Sequence, residues 1–412
     1  MNGFFKDRTT IERMEEGPLG RYMAQYAATL HAAGYTRLTG RRMLESVAGF
    51  NRWLKLKRIP FCRIGPNHAE RYLQFHWRGI SRPCTCDRPA LARWLELLRE
   101  EGVVPKPAPP VSTPCERVVE EYDAYLQKER VLSEATRRTY EPLALQFLRR
   151  RFGSGPVDLS RLRPSDAINY VPQHVKALSS TRAQLMRTAI RSFLQFARYR
   201  GDLALDLAAF VPSVASWSLS TLPKSLPLEQ VEQVLALCPR RTAVGRRAYA
   251  VLLLLARLGL RAGEVVRLTL DDIEWETSRI TIHGKMNRVD QLPLPADVGK
   301  ALAAYLKHDR PRALTTRRLF VRIRAPHSGF KGSGSVDHIV TQALARAGIN
   351  SPRKGAHQLR HSLACKMLRQ GRSLHEIGEI LRHRSPDTTA IYAKVDLLGL
   401  RPLALPWPGG DR

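Results

Sequence analysis

At 412 residues the chain exceeds what one hydrophobic core usually supports, and its 67 Lys and Arg against 37 Asp and Glu leave a net charge of +30 and a pI near 10.6. So basic a balance is the footprint of a polyanionic partner, of which nucleic acid is the commonest, ahead of ribosomes and anionic membrane surfaces. The composition excludes a membrane-spanning protein: no apolar run approaches the roughly 18 residues a span needs, and the longest, AYAVLLLLA at 248–256, reads as a buried helix.

The N-terminus, MNGFFKDRTTIERMEEG, has scattered charges and no apolar core of the secretory type, so cytoplasmic, nucleoid-associated residence is expected. Residues 1–104 carry helical periodicity without strand-like alternation and read as an all-α domain. Within them, Cys84-Thr85-Cys86 lies downstream of His68 and His76, but a one-residue gap is not zinc-ligand spacing, and all six cysteines are expected to be free thiols. No metal site is predicted.

VVPKPAPPVSTP at 103–114 has the composition of a semi-rigid linker, placed at 105–113, and a second helical domain is expected over 114–213. The two helical regions look related: RIGPNHAERYL (63–73) aligns with RLRPSDAINYV (161–171), with Arg, Pro, Ala and Tyr coinciding at an offset of 98. Each is preceded by an arginine-bearing helical stretch, which predicts a duplicated domain. In the second copy SSTRAQLMRTAIRSFLQFARYRG (179–201) has an apolar stripe with arginines between, and most such arginines simply face solvent. Taken with the overall charge, Arg137, Arg138, Arg182 and Arg187 are the candidate DNA contacts.

A Ser- and Pro-rich stretch at 211–227 marks another linker, placed at 214–226, before a mixed domain over 227–400 and a tail at 401–412. RAYAVLLLLARLGL is a buried helix stopping near Gly259, and RITIHGKMNRVDQLPLP is a β-hairpin with Lys285 at its tip or early in the returning strand. Further on, a helix ends at Gly371, Ser373 with Glu376 forms a capping box, and Ser385 caps a helix with Pro386 at its first position, putting Tyr392 about two turns inside.

His357 and Arg360, three apart on one helix, face the same way. His357 with His361 would be a metal pair, but Gln358 stands where a zinc protease carries its glutamate, and no third ligand is evident. In order along the chain come Arg261 before Gly263-Glu264, Lys285, His357, Arg360, His383 and Tyr392, with LGLRAGEV, HQLRHSLA and LRHRSPDTTAIYAKV around them. This pattern closely resembles the tyrosine recombinase (phage-integrase-like) family over roughly residues 114–400. Arg382 departs from it where the family often has Gly, Met286 where a second hairpin Gly is common, and the tail resembles those of transposon-borne members.

The resemblance implies a multidomain fold: all-α N-terminal and core-binding domains and a mixed α+β, mainly helical catalytic domain. It implies site-specific cleavage and rejoining of double-stranded DNA through a 3′-phosphotyrosyl link, in a homo-tetramer or an assembly with related recombinases, without cofactor. Tyr392 is then the nucleophile, Arg261 and Arg360 the clamp on the non-bridging oxygens, His357 the proton acceptor, His383 a phosphate ligand and Lys285 the acid for the leaving 5′-oxygen. Glu264 would position Arg261. Two other readings use the same residues: a non-cleaving DNA-binding accessory protein of the same fold, and a type IB topoisomerase-like enzyme.

Overall fold

The computed structural model describes residues 1, 3–5, 7–15, 19–78, 81, 83–106, 112–175, 178–213, 225–284, 288–312, 314, 316–351 and 355–395. They group into two compact units, one of residues 1–107 with 221–412, the other of residues 108–220. The expected linker 214–226 falls almost entirely outside the described residues, as do the tail, Lys285 and Met286.

In the first unit, helices α1 (Arg8–Glu15), α2 (Met23–Ala32), α3 (Arg37–Leu56), α4 (Pro66–His76) and α5 (Asp87–Glu100) enclose a core around Tyr26, Phe50, Trp94 and Leu98. Thr36 caps α3 by accepting from the Thr39 amide, and Pro66 opens α4, where its missing N–H costs nothing. Cys84 and Cys86 are joined in a disulfide with Cα atoms 5.3 Å apart, against the expectation of free thiols, because the turn that bonds the Asp87 amide to the Cys84 carbonyl brings them within bonding range. His68 accepts from the Gly65 amide through Nδ1, and His76 stacks on Tyr72.

The second unit holds α6 (Pro114–Lys128), α7 (Glu134–Phe152), α8 (Pro164–Val175) and α9 (Ser180–Tyr199) around Tyr122, Phe147, Tyr170 and Phe193. Thr113 and Glu116 form a reciprocal capping box at the start of α6, with Pro114 at its first position.

The mixed part of the first unit begins with α10 (Leu228–Ala236), α11 (Ala243–Arg257) and α12 (Ala262–Arg267). The later half of helix α11 is apolar on all sides because it lies in the core: Ala250 to Leu255 are each at most 1% exposed, and each buried leucine contributes about 1.5–3 kcal/mol. A three-stranded antiparallel sheet follows in the order β1 (Ile273–Glu274), β2 (Arg279–His283), β3 (Val289–Pro293), with Ile280 opposite Leu292. Then come α13 (Ala296–His308), α14 (Gly334–Arg346), α15 (Ala356–Arg369), α16 (Leu374–Ile380) and α17 (Pro386–Ala390). The Ser373–Glu376 box, the Ser385 cap, Pro386 at the first position and the left-handed Gly371 (φ 78°) follow the local sequence signals. A second expectation fails: the α-helix stops at Ala390, and Tyr392 lies on a 3₁₀ turn, Ile391–Val395.

Candidate active site

Two turns and one helix converge: the turn between α11 and α12, the turn between α16 and α17, and α15. Gly259 (φ 59°) makes the first so tight that a Cβ there would stand 2.6 Å from a methyl of Leu381 and 3.0 Å from one of Leu363. Arg360, 4% exposed on α15, ties these turns together, its Nη1 donating to the Gly259 carbonyl and its Nη2 to that of Leu381. A guanidinium has five N–H groups, so two such bonds leave donors for a ligand.

Arg261 caps α12. The Glu264 carboxylate takes both its backbone N–H and its Nη1, each at 2.8 Å, while Nη2 donates to the Arg382 carbonyl at 3.1 Å. The same carboxylate accepts from Arg382 Nη2 at 2.9 Å. Glu264 is therefore a buried brace rather than a surface acid. Burial raises its pKa, but the Arg382 charge and the Arg261 N–H groups outweigh that and hold it below the usual value.

Arg382, which in sequence departs from the glycine common at this position, is built into the site. Its φ of 55° explains why glycine suits the position, and its side chain, 3% exposed, is held inside by Glu264. Nothing in the charge pattern alone separates it from the surface arginines around it.

His383 follows. Its amide donates to the Gly378 carbonyl at 2.8 Å and its Nδ1 is hydrogen-bonded to the Thr389 hydroxyl at 2.6 Å. Burial first, then the charges of Arg360 and Arg261, push its pKa down to about 4, so the ring is neutral at physiological pH. Tyr392 stacks nearly parallel to it, with ring centroids 6.4 Å apart and an interplanar angle of 6°. The hydroxyl of Tyr392 is hydrogen-bonded at 2.8 Å to Nδ1 of His361. Burial lifts its pKa to about 12 although Arg360 pulls the other way; the residue is 1% exposed.

Arg261, Arg360, His383 and Tyr392 are thus brought together. His357, on the same helix, is exposed, and His361, one turn further along, is the histidine bonded to the tyrosine hydroxyl; the two ring centroids are 6.5 Å apart. The spacing of HQLRH contains both histidines, and only the packing of α15 against the 3₁₀ turn selects between them. The arrangement is cationic, with three arginines around one carboxylate, and burial pulls the pKa of Arg360 down to about 9, still charged at neutral pH. Such a site stabilises an oxyanion or phosphate beside a phenol.

The helical arginines are placed differently. Arg137 turns inward onto the Asp123 carboxylate with its side chain 15% exposed. Arg138 is exposed beside Glu134, Arg182 is exposed on the first turn of α9, and Arg187 is partly buried.

Comparison with known proteins gives a consistent answer. The chain matches the phage integrase family over residues 224–397 and the phage integrase N-terminal SAM-like domain over 119–201. It is 45% identical to the "Putative integrase/recombinase y4rA" of Sinorhizobium fredii over 99% of both chains. It is 30% identical to the tyrosine recombinase XerA of Thermococcus onnurineus over 69% of this chain and 93% of that one. In fold it resembles the XerH site-specific recombinase solved in a post-cleavage complex with palindromic difH substrate, at 19% identity, covering 81% of this chain and 93% of that one with a TM-score of 0.57.

Proposed function

The chain belongs to the phage integrase family and is a tyrosine recombinase, and we propose that it breaks and rejoins double-stranded DNA at defined sites through a 3′-phosphotyrosyl link formed by Tyr392. The observation that carries this assignment is the Tyr392 hydroxyl, hydrogen-bonded to His361 at 2.8 Å in a pocket built by Arg261, Arg360 and His383.

In the first step the Tyr392 oxygen attacks the scissile phosphorus, the bond to the 5′-oxygen breaks, and a free 5′-hydroxyl and a phosphotyrosine result. The phenolic proton must leave in the same step, because a phenol with its pKa raised to about 12 is almost wholly protonated at neutral pH. His361 Nδ1 is the acceptor already in contact. His357, the acceptor expected from sequence, stands one turn before it, with the ring centroids 6.5 Å apart. The free donors of Arg261 and Arg360 hold the non-bridging oxygens, and His383, kept neutral and fixed through Nδ1 by Thr389, offers its Nε2 to the phosphate. Lys285 protonates the leaving oxygen. A second 5′-hydroxyl reverses the sequence, and because the phosphotyrosine stores the bond energy, no ATP is required.

Residues 114–213 are read as a core-binding domain gripping the duplex, with Arg138, Arg182 and Arg187 at its phosphates and Arg137 bracing Asp123. Strand exchange between two sites then requires four protomers on DNA, of this chain or of related recombinases. To test the chemistry, nicked duplexes from the DNA flanking the gene are incubated with the protein, and an SDS-resistant protein–DNA adduct is sought. The wild type is expected to form it and Tyr392→Phe to bind without forming it; an adduct of equal yield in the variant removes Tyr392 from the role.

A further inference from the structure

We propose that residues 23–100 are a second copy of the helical module of residues 119–199 and hold duplex DNA with the same surface, Arg41 and Arg88 standing where Arg138 and Arg187 stand. The inference rests on the reading of the later copy as a DNA-gripping module and extends it to a part of the chain that neither family match reaches.

The correspondence runs through every helix, and the offset grows by one residue at each connection. At 96, Tyr26 of α2 matches Tyr122 of α6. At 97, the Thr36 cap matches Ser133: each accepts from the amide three residues on, and each places its hydroxyl 3.0 Å from that of the threonine there, Thr39 or Thr136. At 98, the 3₁₀ turn Phe61–Arg63 matches Leu159–Arg161, and Tyr72 stacked on His76 matches Tyr170 stacked on His174. At 99, Trp94 of α5 matches Phe193 of α9.

The cores repeat as well. Tyr26 meets Trp94 edge-on with centroids 5.4 Å apart, and Tyr122 meets Phe193 in the same way at the same distance. In both copies the tyrosine hydroxyl donates to the carbonyl of an alanine one turn before the facing ring, Ala90 or Ala189. Shared apolar periodicity alone produces helical bundles, but not a buried tyrosine bonded to the same backbone atom twice.

The charge repeats on top of this scaffold. Residues 23–100 carry 14 basic against 5 acidic residues, and 119–199 carry 14 against 8. Arg41 lies five positions after its cap, as Arg138 does, and each pairs with an exposed glutamate on its own helix, Glu45 or Glu134, Arg41 also lying over the Phe5 ring at 5.1 Å. Such surface pairs contribute about 0–1 kcal/mol, so a phosphate displaces them readily. Arg42 adds a further exposed cation beside Arg41. The copies differ at the last helix, where α9 starts at Ser180 but α5 only at Asp87, after Pro83 and the Cys84–Cys86 turn; Arg182 therefore has no basic counterpart, position 83 being proline.

The full-length protein is titrated with duplex DNA from the gene's flanks across a salt series and footprinted, as wild type, as Arg41→Gln/Arg42→Gln/Arg88→Gln, and as the same triple change to lysine. The expected result is a slope of log K against log[salt] shallower by about two to three for the glutamine variant, loss of one block of the footprint, and retention of both by the lysine variant, which keeps the charge while altering the packing of Arg41 on Phe5. A wild-type slope and footprint in the glutamine variant, with unchanged thermal melting, overturn the proposal. Adduct formation at saturating protein is read separately: its absence in the wild type contradicts the cleavage reading and leaves the slope comparison to decide this one.

Discussion

The helical segments and the catalytic pocket solve opposite problems. In the helical segments the rings are buried and the charge is outside: Trp94 and Phe193 are sealed by Tyr26 and Tyr122, while pairs such as Arg138–Glu134 sit in solvent with side chains 74% and 65% exposed. In the pocket the charge is inside: Arg382, Glu264 and Arg360 are 3–5% exposed, Arg382 paired with Glu264 and Arg360 bonded to backbone carbonyls. Charge thus lies mostly on the surface in the first region and is part of the frame in the second.

That contrast is broken or sharpened by substitutions of graded severity. The largest effect is expected from Glu264→Gln, which leaves Arg382 buried without its counter-charge. Removing one partner of a buried pair costs about 3–5 kcal/mol, so thermal melting should fall markedly and Arg261 lose its anchor. Melting unchanged from wild type would mean that Arg382 reaches solvent and the pocket is not framed by charge.

Next comes His361→Ala, which removes the group bonded to the Tyr392 hydroxyl. Single-turnover cleavage should slow by about 10²–10⁴-fold, as for loss of a general base, with DNA affinity unchanged. If His357→Ala slowed the reaction as much and His361→Ala did not, the acceptor expected from sequence would be reinstated.

A smaller effect concerns pH. His383 has its folded pKa lowered to about 4 from an ordinary 6.5, chiefly by burial. Between those values the unfolded chain binds a proton that the folded chain does not, so stability rises as pH increases from 4 to 6.5 and is flat above. Melting temperature measured over that window should climb less in His383→Gln than in wild type; identical profiles would place the titration elsewhere. The smallest change in stability is expected for Arg138→Gln, within about 0.5 kcal/mol, with a shallower salt dependence of DNA binding as its only clear sign.

Much of this was legible in the sequence because it was written in local chemistry. The Ser373–Glu376 box, the Ser385-Pro386 helix start and the hairpin around Ile280 depend on neighbours a few residues apart, and the order Arg261, Arg360, His383, Tyr392 marked the residues the pocket gathers. What escaped depends on which face of a helix meets what. His357 and His361 lie one turn apart on α15, and only the seating of the Ile391–Val395 turn decides that the second touches the tyrosine. Arg137 and Arg138 are adjacent, yet Asp123 draws one inward. Arg382 is buried because Glu264, 118 positions earlier, is there to receive it.

The most direct test of the central claim is to identify the residue that carries the DNA. The adduct trapped on a nicked duplex is digested with protease and nuclease, and the peptide bearing the nucleotide remnant is sequenced by mass spectrometry. Modification on Tyr392, through a 3′-phosphate, is the predicted result. A remnant on any other residue, or a 5′-phosphate linkage, would contradict the assignment of this pocket as the site of strand cleavage.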